Sequence, residues 1–238
     1  MSEAPTIVLV HGAFADASGW RAVHDELVAA GHTVVAPPNP LRGLVGDSAY
    51  VRSFVEQLEG PVLLVGHSYG GAVITVAGAA EQVVGLVYVA GFAPDEGENL
   101  GELQGRFPTS DAFPHLAPAP FPGDGTEFSI DPAFYPTVFA GDVATPEATF
   151  MAHSQRPLSG AAFGEPASVA AWKSKPSWAV FPTGDGTIHP DVHRFSYDRA
   201  GATITEVEGA SHVVMISHPE IVARVVGQAA ESVTGAVA

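Results

Sequence analysis

Four short stretches of this chain carry residue types that together perform nucleophilic acyl chemistry. They are Gly66-His67-Ser68-Tyr69-Gly70-Gly71, Thr183-Gly184-Asp185-Gly186, Gly209-Ala210-Ser211-His212 and the turn His11-Gly12-Ala13-Phe14. A serine hydroxyl attacks a carbonyl carbon only when a base takes its proton, and an imidazole does this best when a carboxylate fixes its tautomer. In a chain with 26 glycines, Gly-x-Ser-x-Gly alone is weak evidence. Its setting is stronger. An apolar run at 62–65 enters the turn and a helix leaves it at once, which is the order of a nucleophile elbow. The plainer alternative is a strand-to-helix turn closed by a capping serine.

With such an elbow the acid and then the histidine follow the serine in the chain, each on a loop after a later strand. His212 fits, five residues past a β-rich run at 202–207. Among the other nine histidines, His11 and His67 flank the site-building turns and read as supports. His218 precedes Pro219 and reads as a helix entry. His189 and His193 lack the partners of a metal site and read as solvated. For the acid, Asp185 follows the strand that ends at Phe181, and Asp95 follows the strand that ends at Ala90. The residues alone leave both open. Negative charge on the attacked carbonyl oxygen needs backbone N–H donors already in place. Tyr69, at the start of the elbow helix, and Ala13, after the close-approach residue Gly12, are the candidates. Phe14 and Phe92 are the candidate substrate contacts.

Positioning these groups requires a sheet. β-rich runs at 6–10, 33–36, 62–65, 85–90, 177–181 and 202–207 alternate with helical periodicity, for example Trp20, Val23 and Leu27, or Val51, Phe54, Val55 and Leu58. That pattern predicts an α/β fold with a mostly parallel, doubly wound sheet of about six strands. The texture changes at Pro94. Residues 94–175 are expected to form an inserted, mainly helical cap between core segments 1–93 and 176–238. Within it, 117–123 reads as a Pro/Gly loop, and 131–139 and 145–155 as short helices, the second capped by Thr145 with Pro146 at its first position. Nine of the 13 phenylalanines lie between Phe92 and Phe163. An aromatic lid encloses an apolar substrate, although most of these rings are accounted for by a small core of the cap's own.

A formal charge of −16 argues against nucleic acid and anionic membrane as partners. The absence of cysteine excludes disulfides and thiolate metal sites. The segment 1–5 leads into a strand without a basic or long apolar stretch, so neither a signal peptide nor a membrane span is expected, and the location read from this is cytoplasmic. The expected partner is a small-molecule ester. No cofactor and no metal are called for.

Taken together, His11-Gly12-Ala13, Gly66-His67-Ser68-Tyr69-Gly70-Gly71, Asp185-Gly186-Thr187-Ile188 and Gly209-Ala210-Ser211-His212 resemble the α/β-hydrolase superfamily. Phe92-Ala93-Pro94-Asp95 and Gln155-Arg156-Pro157 narrow the resemblance to the group of plant-type methyl esterases and hydroxynitrile lyases, with their bacterial esterase relatives. The resemblance implies a helical cap, cofactor-free catalysis and Asp185 rather than Asp95 as the acid. It implies cleavage of carboxylic esters through an acyl-enzyme. Two other readings stand beside it: a carbon–carbon lyase of the hydroxynitrile type, and a ligand-binding protein with little turnover. The resembled lyases carry a threonine at the place of Gly12 and a lysine just after the histidine, where this chain has Val213.

Overall fold

Short runs of Val, Ile and Leu that are apolar on both faces become strands only where helices cover both sides. The computed structural model describes residues 4–122 and 125–234. The expectations for the first residues of the chain and for Gly123 lie outside the described residues. β1 (Thr6–Val10), β2 (Val34–Val35), β3 (Val62–His67) and β4 (Val83–Val89) form in order. The segment between β4 and the next core strand carries β5 (Leu116–Phe121), β6 (Gly125–Ile130) and β7 (Leu158–Ser159). β8 (Ser177–Pro182) and β9 (Thr203–Val207) complete the set.

The core sheet runs β2-β1-β3-β4-β8-β9, and every pair in it is parallel. All six residues of β3, near its centre, are buried. On one face the closing helix Pro219–Thr234 buries Val222, Val226 and Ala230 against β4 and β8. Full burial of each such valine is worth about 1.5 kcal/mol or more. Because β1 pairs with β2 on one side and β3 on the other, the loops leaving β1 and β3 diverge to opposite faces. They open a crevice at the carboxyl ends of those strands. Register places Val10 opposite Gly66, so both loops start at the same height. The residues that could do chemistry sit there. Among the described residues no helix is long and apolar enough to cross a membrane.

Residues 94–175 are not as expected in every part. Helices Leu100–Gln104, Tyr135–Val138, Thr145–His153 and Ala161–Gly164 are present, with Thr145 as a first helical residue rather than a side-chain cap. Beside them lies a three-stranded antiparallel sheet, β5-β6-β7. The stretch read as a loop is largely β5. Prolines argue against a central strand, but β5 is an edge, and Pro118 and Pro120 alternate so that both missing N–H groups fall on one side.

This segment is tied to the core by a mostly buried ion pair. Glu98, 6% exposed, accepts from Arg199 at 2.8 and 3.2 Å and pairs with Arg106 at 2.7 Å, while Arg199 also donates to the carbonyl of Ala93. Burial alone would raise the Glu98 carboxyl. The Arg199 hydrogen bond and the guanidinium charges outweigh burial and hold it below its ordinary value of 4.5. A depressed carboxylate stabilises the fold above its unfolded value, and that contribution disappears as pH falls through the folded one. Arg199→Ala should therefore lower stability in urea by about 3 kcal/mol at pH 7. The gap to wild type should narrow as pH falls below 4.5; a gap independent of pH would show that the pair is not its source.

Candidate active site

At the end of β3 the chain turns so sharply that Ser68 takes a left-handed conformation, φ 54° and ψ −123°, before the helix Tyr69–Ala77. For a residue with a side chain this costs on the order of 1–3 kcal/mol, and it persists only when neighbours enforce it. The enforcing bonds run from Ser68 N–H to the Val89 carbonyl at 3.2 Å, and into the Ser68 carbonyl from Gly71 at 2.9 Å and Phe92 at 3.1 Å. Gly66 is obligatory here, since a Cβ would lie 2.5 Å from the Gly70 carbonyl oxygen. Ser68 occupies the helix N-cap position, yet its side chain makes no capping bond. The plain capping role is thus not the one its hydroxyl plays.

His212 is fully buried, and its Nδ1–H donates to Asp185 Oδ2 at 2.8 Å. Its ring lies 4.8 Å from that of His67, the residue before Ser68, and His67 Nε2–H donates to the His212 carbonyl at 3.1 Å. Among the described residues His212 Nε2 has no hydrogen-bond partner. Asp185 is buried too, and its Oδ1 accepts the N–H groups of Thr187 at 2.8 Å and Ile188 at 2.9 Å. Burial pushes the Asp185 carboxyl up. The His212 charge and the hydrogen bonds of two histidines reverse that and hold it well below the usual carboxylate range. Asp95, the other candidate acid, is pulled away: it pairs with Lys173 at 2.5 Å.

One expectation fails. His193 is not solvated: it is fully buried and donates from Nε2 to the same Asp185 Oδ2 at 3.0 Å. The signal was present in the helix Pro190–Ala200, whose buried face is Val192, His193, Ser196 and Tyr197, an i, i+1, i+4, i+5 stripe that carries His193 inward. His189, by contrast, is partly exposed and accepts from the N–H of Asp191, as the N-cap of that helix. His11 and His218 stand where expected. His11 donates from Nδ1 to the Gly12 carbonyl at 2.9 Å and accepts the Asn39 N–H at 2.9 Å, and burial lowers its pKa. His218 bonds Ser217 just before the closing helix.

The N–H groups of Ala13 and Tyr69 make no hydrogen bond among the described residues, although both residues are buried. Unpaired buried N–H groups are rare in folded proteins. The turn that presents Ala13 is held from the 94–175 segment. Phe14, itself left-handed at φ 62°, donates to the Arg156 carbonyl at 3.0 Å and accepts from the Tyr135 hydroxyl at 3.1 Å. Sequence reasoning missed Tyr135. A cleft of about 720 Å³ runs beside this turn, with Phe14, Tyr135, Met151, Val213 and Met215 among its walls and Asp16 and Glu147 among its polar residues. Phe14 thus faces the cleft. Phe92 is buried and is not among the residues that line the cleft. Among the described residues no group of three or more His, Cys, Asp or Glu is placed to hold a metal ion.

A six-stranded parallel sheet with an elbow serine at its crevice is the arrangement of an α/β-hydrolase. The chain belongs to the alpha/beta hydrolase family, which it matches over residues 7–225. It is similar to the carbendazim hydrolyzing esterase of Nocardioides sp. (strain SG-4G), with 35% identity over 112 residues, 40% of this chain and 46% of that one. It is similar to salicylic acid-binding protein 2 of Nicotiana tabacum, with 26% identity across 92% of this chain and 95% of that one. Its fold matches the crystal structure of polyneuridine aldehyde esterase with a TM-score of 0.81 at 20% identity, over 95% of this chain and 99% of that one.

The crowding at the crevice yields a direct test. A Cβ on Gly12 would lie 2.6 Å from Ser68 Cβ and 3.2 Å from its Oγ. Gly12→Ala should leave far-UV circular dichroism unchanged and cut the rate of Ser68 modification by a fluorophosphonate about 10²-fold. An unchanged rate would show that the two turns do not meet this closely.

Proposed function

We propose that this chain is a carboxylic ester hydrolase in which Ser68 is the nucleophile, His212 the base and Asp185 the residue that orients it. Ser68 Oγ bonds to the ester carbonyl carbon while its proton passes to His212 Nε2. The resulting oxyanion takes hydrogen bonds from the Ala13 and Tyr69 N–H groups. As the tetrahedral centre collapses, the C–O bond to the alcohol breaks and the leaving oxygen takes the proton from His212. Water then attacks the acyl-enzyme by the same path, giving its proton to His212, and the acid departs as Ser68 recovers it. Residues 94–175 act as the cap, and the cleft beside Phe14 takes an apolar part of the ester.

One observation carries this reading. Asp185 accepts Nδ1–H at 2.8 Å and so leaves His212 Nε2 as a lone-pair acceptor, buried, unpartnered and packed against the residue that precedes Ser68. The printed names of relatives, an esterase that hydrolyses carbendazim and a polyneuridine aldehyde esterase, support ester cleavage. Salicylic acid-binding protein 2 is named for binding, which favours a second reading, a ligand-binding protein with little turnover. The lyase reading has less support. Gly12 offers no hydroxyl, Val213 no cation, and Lys173 is engaged by Asp95.

A fluorophosphonate should label the wild type at Ser68 and not label Ser68→Ala. Asp185→Asn should keep the fold and lower ester turnover about 10⁴-fold, because the imidazole loses its tautomer. Stoichiometric binding of ligand without labelling would sink the enzyme in favour of the binder.

The cap holds eleven acidic residues against four Lys and Arg, and the cleft walls are mostly apolar. Neutral aryl or medium-chain p-nitrophenyl and methyl esters should therefore be cleaved faster than esters bearing a free carboxylate, with no cyanide released from mandelonitrile. Preference for a dicarboxylate monoester, with Arg156 as its counter-charge, would refute the charge argument.

A further inference from the structure

We propose that His193 is a positioning residue for the Asp185–His212 pair: by sharing one carboxylate oxygen with His212 it fixes the carboxylate and takes a share of the charge that faces His212. This rests on the hydrolase reading for its consequence in turnover, but not for its geometry. A carboxylate offers about four lone-pair directions. Asp185 uses all four, with Thr187 and Ile188 N–H on Oδ1 and His212 Nδ1–H and His193 Nε2–H on Oδ2. The carboxylate therefore cannot rotate without giving up a buried bond.

His193 is itself fixed. It stacks on Tyr197 with ring centroids 5.7 Å apart and lies 5.5 Å from the Phe181 ring. Its Nδ1 is 3.4 Å from the Tyr197 hydroxyl. That hydroxyl donates to the Gly91 carbonyl at 2.7 Å and accepts the Gly91 N–H at 2.9 Å. Gly91 precedes Phe92, whose N–H holds the Ser68 carbonyl at 3.1 Å. The acid loop and the serine turn are thus braced against each other through one buried chain of contacts.

The electrostatic consequence has a definite sign. Each donor on Oδ2 draws negative charge from the oxygen that would stabilise a His212 imidazolium. Removing the His193 donor should therefore leave more negative charge on Oδ2 facing His212 and favour the imidazolium there. The titratable groups facing His193 are Asp185, His212 and Tyr197. His67 lies behind His212, Tyr88 beyond Tyr197, and the Arg194 guanidinium over the ring of Phe181. Desolvation by burial lowers the pKa of His193, against the raising effect of Asp185.

The test compares His193→Phe, which has no donor, with His193→Gln, whose side-chain amide supplies one. Folded His193→Phe should lose roughly tenfold in kcat with KM unchanged. The acid limb of its kcat/KM profile should move up by about one pH unit, and His193→Gln should restore both. An unmoved limb, or equal loss in the two variants, would overturn the proposal. Should His193→Phe not fold, long-range proton–nitrogen spectra of wild type decide: the Nε2–H tautomer at His193 is required, and the Nδ1–H tautomer refutes it. If no ester is turned over, the hydrolase reading fails alone. NMR titration of His212 in wild type and His193→Phe still judges this inference, an upward shift supporting it and no shift refuting it.

Discussion

A charge buried away from water is tolerated only when donors surround it, and the site is arranged around meeting that condition for Asp185. Its four donors come from its own loop, from the helix Pro190–Ala200 and from the loop after β9. These three segments are brought to one point because β8 and β9 are neighbours and the helix between them packs back on the sheet. The parallel order of the sheet is thus what satisfies the carboxylate. The carboxylate in turn pins the loop that carries His212.

The 94–175 segment grips the two other turns of the site. It holds the Ala13–Phe14 turn through the Arg156 carbonyl and the Tyr135 hydroxyl. It holds the His212 loop through Asp142, which accepts the Ser211 N–H at 3.0 Å and bonds the Ser211 hydroxyl. Burial raises the Asp142 carboxyl, but the bonds from Ser211 outweigh it and hold the group low, as an ionised acceptor. Movement of this segment is therefore coupled to the turn that carries Ala13 and to the loop that carries His212 at once. An opening that admits a ligand would loosen both.

What was legible in the sequence follows from what each signal depends on. The core strands were readable because burial on both faces leaves an unbroken apolar run, as at Val62 to Val65, and the elbow because that run meets a short glycine-rich turn in which Gly66 is demanded by Gly70, four residues on. The second sheet was not. Pro118 and Pro120 speak against a strand unless the strand is known to be an edge, which is a fact about its neighbours. His193 escaped for a related reason. Its burial depends on a partner eight residues earlier across a loop, and a charged or polar residue on a helix is ordinarily read as solvated. Asp185 and Asp95 looked alike as acids after strands; their difference lies in distant partners, His212 for one and Lys173 for the other.

The arrangement also bears on why such a site would be kept. Ser68 in a left-handed conformation and, among the described residues, an unpartnered buried imidazole nitrogen and two N–H groups of buried residues without acceptors each lower stability. A protein that only bound its ligand would lose nothing if that turn relaxed and those groups found partners within the fold. On the proposed reading, the imidazole nitrogen and the two N–H groups lie where an acyl transfer needs an unsatisfied group, at the proton acceptor and at the developing oxyanion. The unmet hydrogen-bonding capacity at this crevice is what the proposed transition state would fill and the resting protein does not.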